Sequence, residues 1–273
     1  MSDHGDGSTG KGCALLAAAL LAVPLVVVGI VAVRTWTPLQ QARASMDKLE
    51  QTLGTEARYT PAPLGEIPAE RMALFLELRA SLAPACGDYG DVQEGFEAVA
   101  ALDSTKTPDA EGTAQVARQL GGAAFAITPF LARFFARRND ALLAASMGLE
   151  EYSYIYALAY HDHLLSQKTR GEIFSDGDAL SPEASEMLRG CLARQLEAAR
   201  SESTWTPWRT SLEQELARME GDPSRLPWQD GLPGTIAAGL TPYREQLDRT
   251  FCGATAGLEM EQSARRALRV ALY

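Results

Sequence analysis

Residues 151–165, EYSYIYALAYHDHLL, place four tyrosines and two histidines in fifteen positions. Phenols and imidazoles donate and accept hydrogen bonds, and an imidazole changes charge near neutrality. On a helix Tyr152, Tyr156, Tyr160 and His163 stand 4, 4 and 3 residues apart and share one face. Two chemistries suit such a face. It can line a groove as a polar-aromatic wall that binds a ligand. In the enzymatic version, Tyr160 and His163 work with an acid brought in by folding, such as Glu77 or Asp162. Alternatively it is a core stripe whose phenol tips reach hydrogen-bond partners, and this plainer reading is the default.

Metal chemistry fits poorly. His161 and His163 are two residues apart, so on a helix they diverge by about 200°. The paired Glu and Glu-x-x-His spacing of helical di-iron sites is missing, as are His-Glu-x-x-His and Cys-x-x-Cys. No metal and no cofactor is expected. Gly-x-Ser-x-Gly, the mark of a serine nucleophile on a sharp turn, is also missing. Glu150 and Glu151 suit the N-terminus of the same helix and are expected to face solvent there.

A second group is aromatic. Trp205 and Trp208 in TWTPWRT, with Trp228 in RLPWQDGLP, put three of the four tryptophans within 24 residues. Trp and Pro in loops build platforms for sugars or extended peptides. The competing reading has them fastening inter-helix loops to the core. Cys86, Cys191 and Cys252 form an odd set that permits one disulfide, with three possible pairings and a spare thiol.

The elements that must position these residues are helical. Ser or Thr precedes Pro at seven places, including Ser181-Pro182, Thr206-Pro207 and Thr241-Pro242. A hydroxyl caps a free N–H, and proline at the first helical position lacks the donor that would otherwise go unpaired. Periodicity places helices over 38–54, 68–82, 91–102, 111–145, 148–168, 182–201, 207–220, 233–251 and 254–271. No stretch alternates with period two for long enough to argue a strand. TPAPLGEIP, from Thr60, reads as an extended linker. The fold class is therefore all-α: an N-terminal transmembrane helix followed by a multi-helix bundle.

This pattern divides the chain into four regions. Residues 1–11 are polar and Gly-rich, a disordered tail. Residues 12–33 carry no charge over 22 positions, enough for roughly 30 Å of hydrocarbon as a helix. Arg34 and Trp36 come next as interfacial anchors. A cleaved signal peptide would have a shorter apolar core and small residues at its exit, whereas this exit reads Val31-Ala32-Val33-Arg34. Residues 34–66 form a juxtamembrane helical stalk and linker, and 67–273 a globular helical domain. In the stalk, Leu39, Ala42, Met46, Leu49 and Leu53 space as a short coiled-coil seam. Ala14, Ala18 and Ala22 add a small-residue row in the span, so a homodimer through anchor and stalk is one expected partnership.

Charge restricts partners further. The net charge is −10 with no basic run, which argues against nucleic acid. The arginine-rich, lysine-poor composition and the single asparagine, Asn139, suggest GC-rich coding and a bacterial source. Counting flanking charges alone would put Arg34, Arg43 and Lys48 on the cytoplasmic side. A lone N-terminal span before a long domain more often exports that domain. The expectation is thus a single-pass protein of the bacterial inner membrane, its domain periplasmic or extracellular. There it would bind or scaffold an envelope protein or glycan, or act as an envelope enzyme through the Tyr/His face.

Overall fold

The computed structural model describes residues 37–38, 40–53, 58–100, 129–170, 180–200 and 205–261, with side chains to residue 88 in the second of the long segments and to residue 167 in the third. The disordered tail, the transmembrane anchor and the end of the C-terminal helix expected from the sequence lie outside them. Among the described residues every regular element is a helix and none is a strand. None of these helices is long and apolar enough to cross a membrane.

The elements in chain order are α1 (40–53), α2 (Ala69–Ala100), α3 (129–144), α4 (Leu149–Ala159), α5 (His161–Arg170), α6 (Pro182–Ala199), α7 (Thr206–Gly221), α8 (Gly234–Leu240), a 3₁₀ turn (Thr241–Tyr243), α9 (Arg244–Thr250) and α10 (Ala256–Glu259). Helix α6 starts as its sequence dictates. Ser181 Oγ accepts from Ala184 N at 3.2 Å, with Pro182 in the first turn.

Proline explains two departures from periodicity. The expected 233–251 helix is interrupted at Thr241–Tyr243. Pro242 offers no N–H, and its ring crowds the carbonyl one turn back. In contrast, the helices expected over 68–82 and 91–102 are one element, α2, which runs through Pro84. Pro84 and Ala80 both face solvent, so the carbonyl deprived of its partner stays open to water. The 148–168 helix divides at Tyr160, whose backbone leaves the helical region at φ −107°, ψ 20°.

Packing centres on α4. Seven consecutive residues, Tyr152 to Leu158, are buried between α2, α6 and the C-terminal segment. A helix buried all round belongs at the middle of a bundle. Helix α1 lies on this bundle: Leu49 is 3% exposed within the main core, and Ala42 joins a second cluster with Ala85, Phe130, Leu131 and Phe134. Ala42, Met46, Leu49 and Leu53 of the coiled-coil-like seam are therefore packed on their own domain, while Leu39 lies outside the described residues.

The TPAPLGEIP segment is not extended throughout: Gly65 N donates to Ala62 O at 2.8 Å, closing a turn at Pro63 and Leu64, and the segment is held against the bundle. Arg194 Nε donates to Tyr59 O at 2.8 Å, Gln195 Nε2 to Ala62 O at 3.0 Å, and Trp208 Nε1 to Pro63 O at 2.5 Å. Gly65 turns at φ +79° against Ile236, where a Cβ would lie 2.8 Å from that side chain. Only glycine gives both the turn and the close approach. Glu150 and Glu151 are only partly exposed and are paired rather than free in solvent. Glu150 takes Arg194 at 2.5 Å and Tyr59 N at 2.9 Å, while Arg71 grips both oxygens of Glu151 at 2.6 Å. These carboxylates fasten α4 to its neighbours, which outweighs the solvation they would have at a free helix start.

Candidate functional site: a closed tyrosine stripe and an open cleft

The sequence face divides in two. Tyr152, Tyr156 and Tyr160 are 0% exposed. Arg79 of α2 enters between them, itself 2% exposed. Its Nη1 donates to Tyr152 Oη at 3.0 Å and to Glu259 Oε1 at 2.5 Å, and its Nη2 to Thr250 O at 3.2 Å. The guanidinium lies 5.2 Å from the Tyr156 ring centroid and 5.5 Å from that of Tyr160. Tyr152 donates to Glu259 Oε2 at 2.6 Å, and Thr255 to Oε1 at 3.0 Å. Tyr160 Oη and Thr250 Oγ1 are 2.8 Å apart.

Burial governs the protonation of this cluster. It pushes the phenols of Tyr152 and Tyr156 well above the usual tyrosine range, and Arg79 offsets only part of that. For Arg79 burial pulls downward, but Glu259 and the three phenols outweigh it and hold the guanidinium well above its ordinary value. The stripe thus holds one fixed cation, one carboxylate and neutral phenols. Nearby, Arg138 of α3 is fully buried, donates to the carbonyls of Leu258 and Glu259 at 3.1 and 2.9 Å, and sits over the Phe135 ring. Two arginines therefore clamp the chain from Thr250 to Glu259 onto the bundle. These three tyrosines line no open groove here.

His163 leaves the stripe at its lower end. It stacks on Phe251, with centroids 4.4 Å apart and planes 14° apart, and its Nε2 lies 2.8 Å from Asp248 Oδ1. With 39% of its side chain exposed, it edges a cleft of about 430 Å³ between the α4–α5 junction and the α8–α9 wall. The cleft is walled by Leu158, Leu232, Leu240 and Leu247, with Asp162, Arg244 and Asp248 among its charged residues. His161 also reaches it but is buried, with Nε2 2.9 Å from Trp228 O and Nδ1 3.2 Å from Asp162 Oδ1. The two histidines do diverge, as their spacing requires. Among the described residues no three His, Cys, Asp or Glu gather closely enough for a metal ion.

The tryptophans are brought together in part. Trp208 and Trp228 stack at 5.4 Å and 25°, and Trp228 is 5% exposed. Trp205 precedes α7 and packs partly buried on the core. Trp228 adopts φ +60°, a left-handed conformation that costs a bulky residue energy. Glu215, 1% exposed, over-determines it. Its Oε1 accepts Trp228 N at 2.8 Å and Arg225 Nε at 3.0 Å, and Arg225 also holds Asp230 at 2.6 Å. Trp208 and Trp228 fasten the 61–65 segment and the 226–232 loop rather than forming an exposed platform.

Sequence reading missed Glu259 and Asp248, whose partners lie 180 and 85 residues away, and Glu215 and Arg225, which meet between α7 and the loop after it, where no regular period runs. Arg79 did leave a signal: it stands in the apolar register of Met72, Phe75, Leu76 and Leu82. A charge on the buried stripe of a helix implies a buried partner.

Of the three possible cysteine pairings, Cys86 and Cys252 are bridged, with Cα atoms 5.8 Å apart across 166 residues of sequence. Cys191 is free and buried, and burial pushes its thiol up to about 12. It is therefore no nucleophile at neutral pH. Among the described residues, fold and site together define an all-helical domain with a disulfide, a closed Arg–Glu–Tyr cluster and a small open cleft. No protein-family model, curated protein or solved structure matches this chain.

Proposed function

We propose that this chain is a single-pass membrane protein whose exported helical domain binds a small ligand or envelope component in the cleft edged by His163. The observation that carries the reading is the Cys86–Cys252 bridge. Such bonds persist in oxidising compartments and are rare in the cytosol of mesophiles. It supports export of the domain over the opposite orientation. The apolar span at 12–33 supplies the tether. Binding, rather than chemistry on the tyrosine face, is favoured by the closure of that face and the accessibility of the cleft. Self-association falls to the Ala14, Ala18 and Ala22 row, since the described residues of the α1 seam are packed on their own domain.

A specific observation favours one second reading. His163 and Asp248 in an open cleft form an oriented base, the core of an envelope hydrolase. The described cleft residues include no hydroxyl or thiol, so such an enzyme would activate water rather than use its own nucleophile.

Thiol trapping tests the main reading. Cells are quenched in acid and the denatured protein is treated with a maleimide–polyethylene glycol. One adduct, on Cys191, plus any on Cys13, is expected before reduction, and two more after it. Unbridged Cys86 and Cys252 in protein taken directly from cells would overturn export. Release of the chain by alkaline carbonate would overturn the tether.

A further inference from the structure

We infer that the cleft receives a small zwitterion with an apolar side chain, carrying one carboxylate and one ammonium: a free apolar α-amino acid or a short apolar peptide. This rests on the proposed binding role of the cleft and names its ligand.

Volume sets the scale. About 430 Å³ is near the lower end of the roughly 300–1,000 Å³ of small-molecule sites. That suits an amino acid or a peptide of a few residues. The leucines at 158, 232, 240 and 247 give an apolar body somewhere to be buried.

Charge selects the polar part. Arg244 and Asp248 stand four apart on α9 and share a face, yet Asp248 turns to His163. Arg244 is left with no ion-pair or hydrogen-bond partner among the described residues, and it lines the cleft. Asp162 of α5 lines the same cleft, is 87% exposed, and its Oδ1 meets His161. The cleft thus offers an unpaired guanidinium and two carboxylates around leucine side chains. A simple anion would satisfy Arg244 but face both aspartates. A simple cation would satisfy the aspartates but face Arg244. A zwitterion meets both signs at once, its carboxylate on Arg244 and its ammonium on Asp162, since Asp248 is engaged by His163.

The wall is held before any ligand arrives. His161 is buried against Trp228 O, and His163 is fixed by Asp248 and by its stack on Phe251. Phe251 is adjacent to the bridged Cys252. Fixed groups lose little freedom on binding, which favours affinity for a small molecule.

The test uses the full chain in detergent and isothermal titration with five probes: leucine, trileucine, leucine amide, N-acetyl-leucine and N-acetyl-leucine amide. At least one of the two zwitterions is expected to bind tenfold or more tightly than the other three. Leucine against trileucine separates a free amino acid from a peptide. Arg244→Gln should erase the preference over leucine amide, and Asp162→Asn the preference over N-acetyl-leucine. Both side chains are exposed, so folding is checked by unchanged helical circular dichroism. Equal affinity for all five probes, or no saturable binding of either zwitterion up to about 10 mM, would overturn the proposal. Either failure with Cys86–Cys252 still found bridged in cells removes the ligand and leaves the exported domain intact. An unbridged pair with binding retained does the reverse.

Discussion

Glu259→Leu removes the carboxylate that faces Arg79 and leaves a guanidinium buried among three phenols. Arginine cannot shed its proton at accessible pH, so the charge stays in place. Thr250 O and the phenolic oxygens still accept from it, but none carries charge. Breaking a buried pair from one side costs about 3–5 kcal/mol. Tyr152 and Thr255 lose their acceptor as well. Against a total of about 5–15 kcal/mol for a typical domain, this is a large fraction. For a domain of this size about 2–4 °C is lost per kcal/mol, so the melting temperature should fall by roughly 6–20 °C. Arg79→Met in the same background removes the stranded charge. The double variant should therefore be more stable than the sum of the single effects by about 2 kcal/mol or more. Thermal unfolding followed by circular dichroism, with the full chain in detergent, reads all three variants. A loss below about 1 kcal/mol for Glu259→Leu, or strict additivity in the double variant, would refute the view that this pair holds the C-terminal segment onto the bundle.

The same packing leads to two further outcomes. Burial raises the pKa of five phenols, Tyr59 to about 12 from an ordinary 10.0, so the folded state holds these protons more tightly than the unfolded chain. Their contribution is complete below about pH 10 and lost as pH rises toward the folded values; absorbance at 295 nm should show delayed ionisation of these tyrosines, then a joint rise with unfolding, and free titration of all eight near pH 10 would contradict it. Leu49→Asp puts a charge into the core and should lower the urea midpoint by an amount equivalent to about 2–5 kcal/mol, whereas an unchanged midpoint would mean that α1 does not pack on its own domain.

The helical class and most helix starts were legible because they are local. A 3.6-residue apolar repeat and a Ser-Pro cap each act within one turn, so the pattern over 182–201 matches Pro182–Ala199 to within a residue or two. Spacing alone also separated His161 from His163 and put Tyr152, Tyr156 and Tyr160 on one face. The same locality misled at Pro84, where exposure lets α2 continue, and at Glu150 and Glu151, whose arginine partners come from other helices.

What only the tertiary structure decided is which face closes and which stays open. Arg79 and Glu259 meet across 180 residues, Cys86 and Cys252 across 166, and His163 and Asp248 across 85. No periodicity records such pairs, since each depends on how helices cross rather than on how one helix turns. The sequence by itself determined the apolar span, the helices and the candidate residues. Packing then buried the tyrosines around a shared ion pair and left His163, Arg244 and Asp162 at the cleft. Burial and charge compensation are properties of neighbours in space, and one turn of helix fixes only neighbours in sequence.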